Sequence, residues 1–478
     1  MQKIKNGKSS ENNFLKMKIL TKNTLLIATV ITFGLILTSC KKDPEQEPTP
    51  TSDEYAEAET KFADYFSSAG NSSSDPGIGA DLKVATSLTT LSPISGTFLQ
   101  TANFSGAVDP NATPWYEGWS FLDNVLAGNM TDVPRTAPSI TKTVKGDTVN
   151  GTGTATWSKD TVYILDGFVF VKPGQVLTIQ AGTVIKGKST PSTGDNASAL
   201  IVTRGAQIMA PGTAAEPIIF TGESDLLNGA TQVNTSGTWG GVVILGKAPN
   251  NYTVGVKNIE GVPTSQSLAE HGGNIPTDNS GTFTYVSIRH GGAELGPDNE
   301  INGLTLGSVG SGTILNHIEI VGNKDDGIEW FGGTVNGKYL ISLYAGDDAL
   351  DLDDGYSGTN QFCIIYQNPA SGESDKGFEH DGGKNTDLTL SSAKFYNVTA
   401  KGGAGSRAFN CKENAGGEYH NSIFYDFAAG ITVEYTGEEK DAFNQFNNGK
   451  LKFENNIFFN IASGTTGADL FKLSDSRE

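Results

Sequence analysis

A chain of 478 residues with 59 glycines, 18% charged residues and a formal net charge of −19 has the length for a large core and the composition of a β-rich protein. Neutralising phosphates takes a basic face, and no Lys/Arg cluster occurs, so nucleic acid is excluded as a partner; cations, or polymers bridged by cations, suit this charge better. Three cysteines are too few for a disulfide framework, and Cys363 and Cys411 sit in apolar runs that predict buried thiols.

Residues 1–39 read as a sorting signal. Lys16, Lys18 and Lys22 lead into a 13-residue apolar run, Leu25 to Leu37, too short to span a bilayer, and then into Thr38-Ser39-Cys40. The expected start is Met17. The four residues ending on Cys40 resemble the lipobox of bacterial lipoproteins, which implies a lipid on Cys40 and a place in the outer membrane, held by that anchor alone. Residues 40–52, rich in Pro and Glu, predict a flexible tether. Lys42 to Glu45 resembles the acidic tag that sends some lipoproteins to the outer face.

Residues 53–137 predict an N-terminal helix and an irregular cap region. Tyr55, Phe62, Tyr65 and Phe66 fall at helical spacing after Ser52, which is placed to act as N-cap. The aromatic cluster Trp115, Tyr116, Trp119 and Phe121 is placed to cover the open end of the domain downstream.

From 138 to 478 the sequence repeats. Gly174 and Gly205 occupy equivalent places 31 residues apart, each between two apolar strands, and Ile318, Ile341 and Ile364 recur at intervals of 23. Strands around Val398, Ile423 and Ile457 continue the series. Such a period, built only of short strands and turns, is one turn of a solenoid that buries its apolar side against the next turn. Three strands per turn fit its length. The predicted fold class is all-β: a right-handed parallel β-helix with a short N-terminal helical and irregular cap. Asn316, Asn421 and Asn455, each two residues before a strand isoleucine, predict asparagine stacks at the turns. No cap over the last turn is evident in the residues up to Glu478.

The stretches "GVVILGKAP", "DDGIEWFGGT" and "GDDALDLDDGYSG" resemble the pectin lyase-like β-helix domains of secreted and lipid-anchored bacterial surface proteins. The resemblance implies the fold. For function it implies only a range that includes lyases, hydrolases, tailspikes and adhesins.

Five carboxylates, Asp347, Asp348, Asp351, Asp353 and Asp354, fall within eight residues. Aligning the strands puts Ile328, Leu350, Phe378, Phe409 and Ile431 in one inward column, so the next column, Glu329, Asp351, Glu379, Asn410 and Thr432, points outward. Two residues on, the column reads Phe331, Asp353, Asp381, Lys412 and Glu434. Stacked strands lie roughly 4.8 Å apart, so acids remote in sequence become neighbours on a flat face. A bare pair costs on the order of 3 kcal/mol at an effective dielectric near 20, and a hard cation removes that cost. Ca2+, with about six to eight oxygen ligands in loose geometry, suits Glu329, Asp351, Asp353, Glu379 and Asp381. Turn formation explains Asp326, Asp354 and Asp381 as well, but not mid-strand Asp351 and Glu379.

The face resembles that of β-helix polysaccharide lyases, which implies Ca2+ on the acids and a Lys or Arg as base for β-elimination. Arg407, Lys412 and Lys376 match that place, and salt-bridge partners of the acids is the other reading of the same three. Gly346-Asp347-Asp348 resembles polygalacturonases, whose downstream Gly-His-Gly does not occur here. His271 and His290 each precede Gly-Gly, as metal ligands on adjacent turns or as a repeated turn motif. His380 alternates inward. Phe331, Tyr344 and Tyr356 read either as exposed aromatics for sugar rings or as packing between rungs. The sequence thus predicts an outer-surface lipoprotein that binds an extracellular polymer, an anionic polysaccharide above all, through a Ca2+-loaded face. A Ca2+-dependent polysaccharide lyase and a structural adhesin are the alternatives.

Overall fold

A computed structural model describes residues 49–475 apart from 87, 89–90, 265, 295–299, 370–373 and 384–389. The sorting signal, Cys40 and most of the tether lie outside the described residues. Among those described, no helix is long and apolar enough to cross a membrane. From Ile140 to Ser474 short strands pair in parallel as a 16-stranded and a 10-stranded sheet, and the chain winds between them as a parallel β-helix. Gly174 and Gly205, both at positive φ, turn the same corner on consecutive coils, and the Gly174 N–H donates to the Gly205 carbonyl at 2.9 Å. Inside, Leu304, Ile328, Leu350, Phe378, Phe409, Ile431 and Phe471 stack in one column, all buried. Phe378 and Phe409 lie 4.8 Å apart with planes at 7°. Cys363 and Cys411 are free thiols in this core. Burying each large side chain of the column contributes about 1.5–3 kcal/mol.

Each coil has three strands, two of which share the larger sheet. In the middle coils these two fuse into one bent strand: Gly281–Arg289 pairs with Gln207–Pro211 through its first half and with Ile218–Gly222 through its second. The bend is a single left-handed residue, occupied coil after coil by Tyr285, His317, Tyr339, Phe362, Asn397, Asn421 and Asn455. Side chains at positive φ cost about 1–2 kcal/mol except at Gly, and less at Asn. Here the aromatic ones stack, Tyr285 on His317 at 4.2 Å, His317 on Tyr339 at 4.4 Å and Tyr339 on Phe362 at 5.2 Å, which offsets the cost.

Two expectations are corrected by this bend. His317 occupies it, not Asn316. The register of the larger sheet also differs by one residue, because Ile341 stands beside Glu319 and not beside Ile318. Ile341 and Ile364 therefore face outward, while Ile318, Leu340 and Cys363 fill the core.

The N-terminal helix, Ser52–Ser68, begins at Thr51 and not at Ser52 as N-cap. The Glu54 N–H donates to Thr51 Oγ1 at 3.3 Å and the Thr51 N–H to the Glu54 carboxylate at 2.9 Å, a reciprocal capping box. Phe62 and Phe66 seat this helix on the last coil, with Phe62 4.9 Å from both Phe446 and Phe471 and Phe66 5.3 Å from Phe471. The last turn therefore has a cap, encoded at the opposite end of the described chain.

From the helix the chain returns as a strap over the outer face of the larger sheet, from the last coils toward earlier ones, with an excursion at Gln100, which bonds to Tyr339 and Gln361 before residues 104–107 meet later coils again. Ser72 bridges to Ile457, the Gly106 N–H donates to the Asn421 carbonyl and the Ala107 N–H to Thr399. Trp115 then packs on Tyr339, Leu122 donates its N–H to Glu319, and Arg289 donates to Asp132 at 2.5 Å. Tyr116, Trp119 and Phe121 are buried against Val321, Ile341 and Ile364. The aromatic cluster thus covers a sheet face instead of an open end.

Candidate metal-binding cleft

The smaller sheet carries the acids outside. Thr305, Glu329, Asp351, Glu379, Asn410 and Thr432 stand in register on adjacent strands, with Phe331 beside Asp353 and Asp381 beside Lys412 in the next outward column. Two residues upstream of the inward column lies a third row, Asn302, Asp326, Asp348, Lys376 and Arg407. Alternation in these strands brings the acids together, as an inward Leu or Phe on one side of each forces it out.

The acidic face is not flat. Toward the first coils, the connection between the strands Val242–Leu245 and Leu304–Gly307 lies on the sheet, with Ile259, Val262 and Ala269 packed on Ile201 and Val243. Its Glu260, Glu300 and Asn302 form one wall of a cleft of about 250 Å³, lined among the described residues by eleven carboxylates and that one amide. Glu329 is 7% exposed and Asp348 2%. None of the three aromatics presents itself to a sugar ring in the acidic cleft. Phe331 is covered by Lys257 and His271, Tyr356 stacks on Trp330 inside the core, and Tyr344 is largely buried under the strap, with its remaining edge on a separate cavity.

Burial, and then mutual repulsion, sets the state of these acids. Burial followed by the charges of neighbouring carboxylates raises Asp326, Glu329, Asp348, Asp351 and Asp353 well above the ordinary carboxylate range. Asp325, with Asp347 beside it, and Asp381, with Glu413, are each pushed up to about 7, again mainly by burial. Three lysines answer the acids. Lys376 lies 3.1 Å from Glu379 and 3.4 Å from Asp348, Lys412 3.2 Å from Glu379, and Lys324 3.1 Å from Glu300. Burial pulls the ammonium groups of Lys376 and Lys412 down, but the acids beside them more than offset it, and both end above their usual value. Two of the acids also join coils: Asp326 accepts the Asp348 N–H at 2.9 Å, and Asp348 accepts the Lys376 N–H at 2.8 Å.

One group of three ligand atoms, from Asp326, Glu329 and Asp351, lies within 4.8 Å of one another, and a second comes from Asp325, Asp326 and Asp347. Asn302 donates its amide N–H to Glu329, and its carbonyl Oδ1 is buried in the cleft wall without a partner among the described residues. An orphaned acceptor among carboxylates is what a cation satisfies, and an all-oxygen donor set fits a hard divalent ion, Ca2+ above the transition metals.

Of the five ligands expected from sequence, Glu329 and Asp351 fall in the tight group, Asp353 and Asp381 line the cleft, and Glu379 is engaged by Lys376 and Lys412. Asp326, in the tight group, and Asn302, in the cleft wall, were not among the residues expected from sequence. Extending the strand alignment one coil back to Leu304 places Asn302 in the row of Asp326. Arg407 stands beside Lys376 with its Nε buried and unpartnered among the described residues. His271 and His290 are held apart, one against Ser308 and the other against the Thr235 carbonyl, and neither joins a group of three ligating side chains among the described residues. His380 is in the core, between Tyr419 and Ser391.

Stacked parallel coils with a grooved outer sheet define a class, the β-helix solenoids. Within that class, the chain belongs to the family described as the pectate-lyase like beta helix domain, which matches residues 148–476. No curated protein and no solved structure matches the chain.

Proposed function

We propose that the cleft holds Ca2+ on Asp326, Glu329, Asp351 and Asn302, and that through it the solenoid binds an extracellular anionic polysaccharide. The chain would do so at the outer face of the outer membrane, anchored by a lipid on Cys40. The observation that carries this reading is the buried carbonyl of Asn302, unpartnered among the described residues, in a cleft that eleven carboxylates line among those residues. When bound, the cation supplies positive charge to which a carboxylate of the polymer attaches. The chain's own residues hold the ion, keep its surroundings dry and orient the acids through the Asp326 and Asp348 bonds to the next coil.

Binding is favoured over elimination by the state of the candidate bases. A general base must be unprotonated near working pH. Lys376 and Lys412 are ion-paired and raised above their usual value, and Arg407 is a guanidinium. The test is Ca2+ titration calorimetry, followed by retention on immobilised polygalacturonate or alginate with and without EDTA. Ca2+ binding and EDTA-sensitive retention, with no rise in absorbance near 235 nm, is the expected result. An EDTA-sensitive rise replaces the binder with a lyase, Ca2+ binding without retention leaves the structural adhesin, and no Ca2+ binding overturns the reading. Loss of fatty-acid labelling in Cys40→Ser cells checks the anchor.

A further inference from the structure

The turn that carries the acids has a second face. Lys324 lines a separate cavity and its neighbour Asp325 lines the cleft, and the same switch falls between Gly346 and Asp347 on the next coil. On the third coil Ser374 lines that cavity, while Asp375 joins Asp347 and Asp348 in an acidic group. The ridge between the two is one residue wide on two coils, at Lys324-Asp325 and Gly346-Asp347. Consecutive Cα atoms are only ~3.8 Å apart, a step shorter than one sugar ring, so a glycan lying across the ridge meets both sides with adjacent units.

The two sides differ in chemistry. The second cavity, about 370 Å³, is lined among the described residues by no carboxylate. Asn234, Ser236 and Ser374 offer amide and hydroxyl groups there. Ser374 donates its own hydroxyl hydrogen to the Ala345 carbonyl at 2.6 Å and so faces a ligand as acceptor. Tyr344 lines the cavity from beneath, 7% exposed, and its phenol makes no hydrogen bond among the described residues. The Lys324 ammonium is already balanced by Glu300 at 3.1 Å and Glu294 at 3.4 Å. Apart from that ion-paired ammonium, the described lining is uncharged donors and acceptors around an aromatic, which suits the hydroxyl or acetamido groups of a neutral sugar better than a second carboxylate.

We infer that the ligand is a heteropolymer in which an acidic sugar, held over the cleft through the cation, is followed by a neutral sugar seated in the second cavity. This rests on the cation and polymer reading above. The test is calorimetry in Ca2+ with length-matched oligosaccharides of hyaluronan, which alternates uronate and N-acetylhexosamine, and of polygalacturonate, which is uronate throughout. The wild-type protein is expected to bind the alternating chain at least about tenfold more tightly. The double variant Asn234→Ala/Tyr344→Phe is expected to lose that preference, with its Ca2+ titration reporting that the cleft is intact, and Asp351→Asn to lose both glycans. Equal affinities, or a preference that survives the double substitution, overturn the inference and leave the cleft as an anion-polymer site. Ca2+ binding with neither glycan bound overturns the polymer reading and this inference together.

Discussion

Glu329 and Asp351 stand side by side on paired strands, both pointing out of the core, and neither makes an ion pair among the described residues. A fold that keeps two such groups together retains protons there or binds a cation, and the two alternatives separate by pH.

Raised acids hold protons in the folded state that the unfolded chain has released, so stability is greatest below the unfolded value and falls as pH rises through the folded one. For Asp325 and Asp381 that window runs from the ordinary 3.8 to about 7. Thermal melts in EDTA are expected to show a falling Tm between about pH 4 and about pH 7. Ca2+ at roughly a hundred times its Kd should restore about 2.7 kcal/mol at the upper end. A Tm that rises with pH in EDTA would contradict the burial of these acids.

Glu329→Gln removes one charge from the cluster and keeps the shape. In EDTA at neutral pH it should leave the protein as stable as wild type or more so, while the Ca2+-induced shift in Tm shrinks. Asp326→Ala should do the opposite in EDTA, losing about 1–3 kcal/mol, because the Asp348 N–H is left buried without an acceptor. Denaturant titration of both variants in EDTA separates Glu329, which only holds the ion, from Asp326, which also joins two coils.

Phe62 is fully buried between Phe446 and Phe471. Phe62→Ala should cost about 3–5 kcal/mol in urea denaturation, and amide exchange should quicken first in the last coil. Uniform loss of protection would show that the helix does not seal that end.

At the bend, His317 has φ of 54° and stacks between two tyrosines. His317→Asn matches the residues that hold the same place in later coils and should cost no more than about 1 kcal/mol. His317→Val, β-branched in the left-handed region, should cost at least about 1–2 kcal/mol more.

The register of the smaller sheet was readable because its strands alternate an apolar residue with an acid, as in Leu350-Asp351-Leu352-Asp353. The larger sheet was not, because the strap buries its outer face as well. Leu340-Ile341 and Cys363-Ile364 are apolar on both sides, and alternation then has no sign. Glu260 and Glu300 lie in the irregular connections before and after Gly281–Arg289, so nothing local aims them at the cleft. The pairing of helix and last coil escaped for a different reason: more than 370 residues separate Phe66 from Phe443, and amphipathic spacing reveals a sticky face without naming its partner.

Translation runs from the N-terminus, so the helix bearing Phe62 and Phe66 emerges about 400 residues before its seat at Phe471. The solenoid must therefore lengthen with its growing tip unsealed until the coil of Phe471 has been made. Such a chain is most vulnerable to mispairing with its neighbours during that interval, and a helper that shields this pair of phenylalanines would have to let go only when Phe471 is in place.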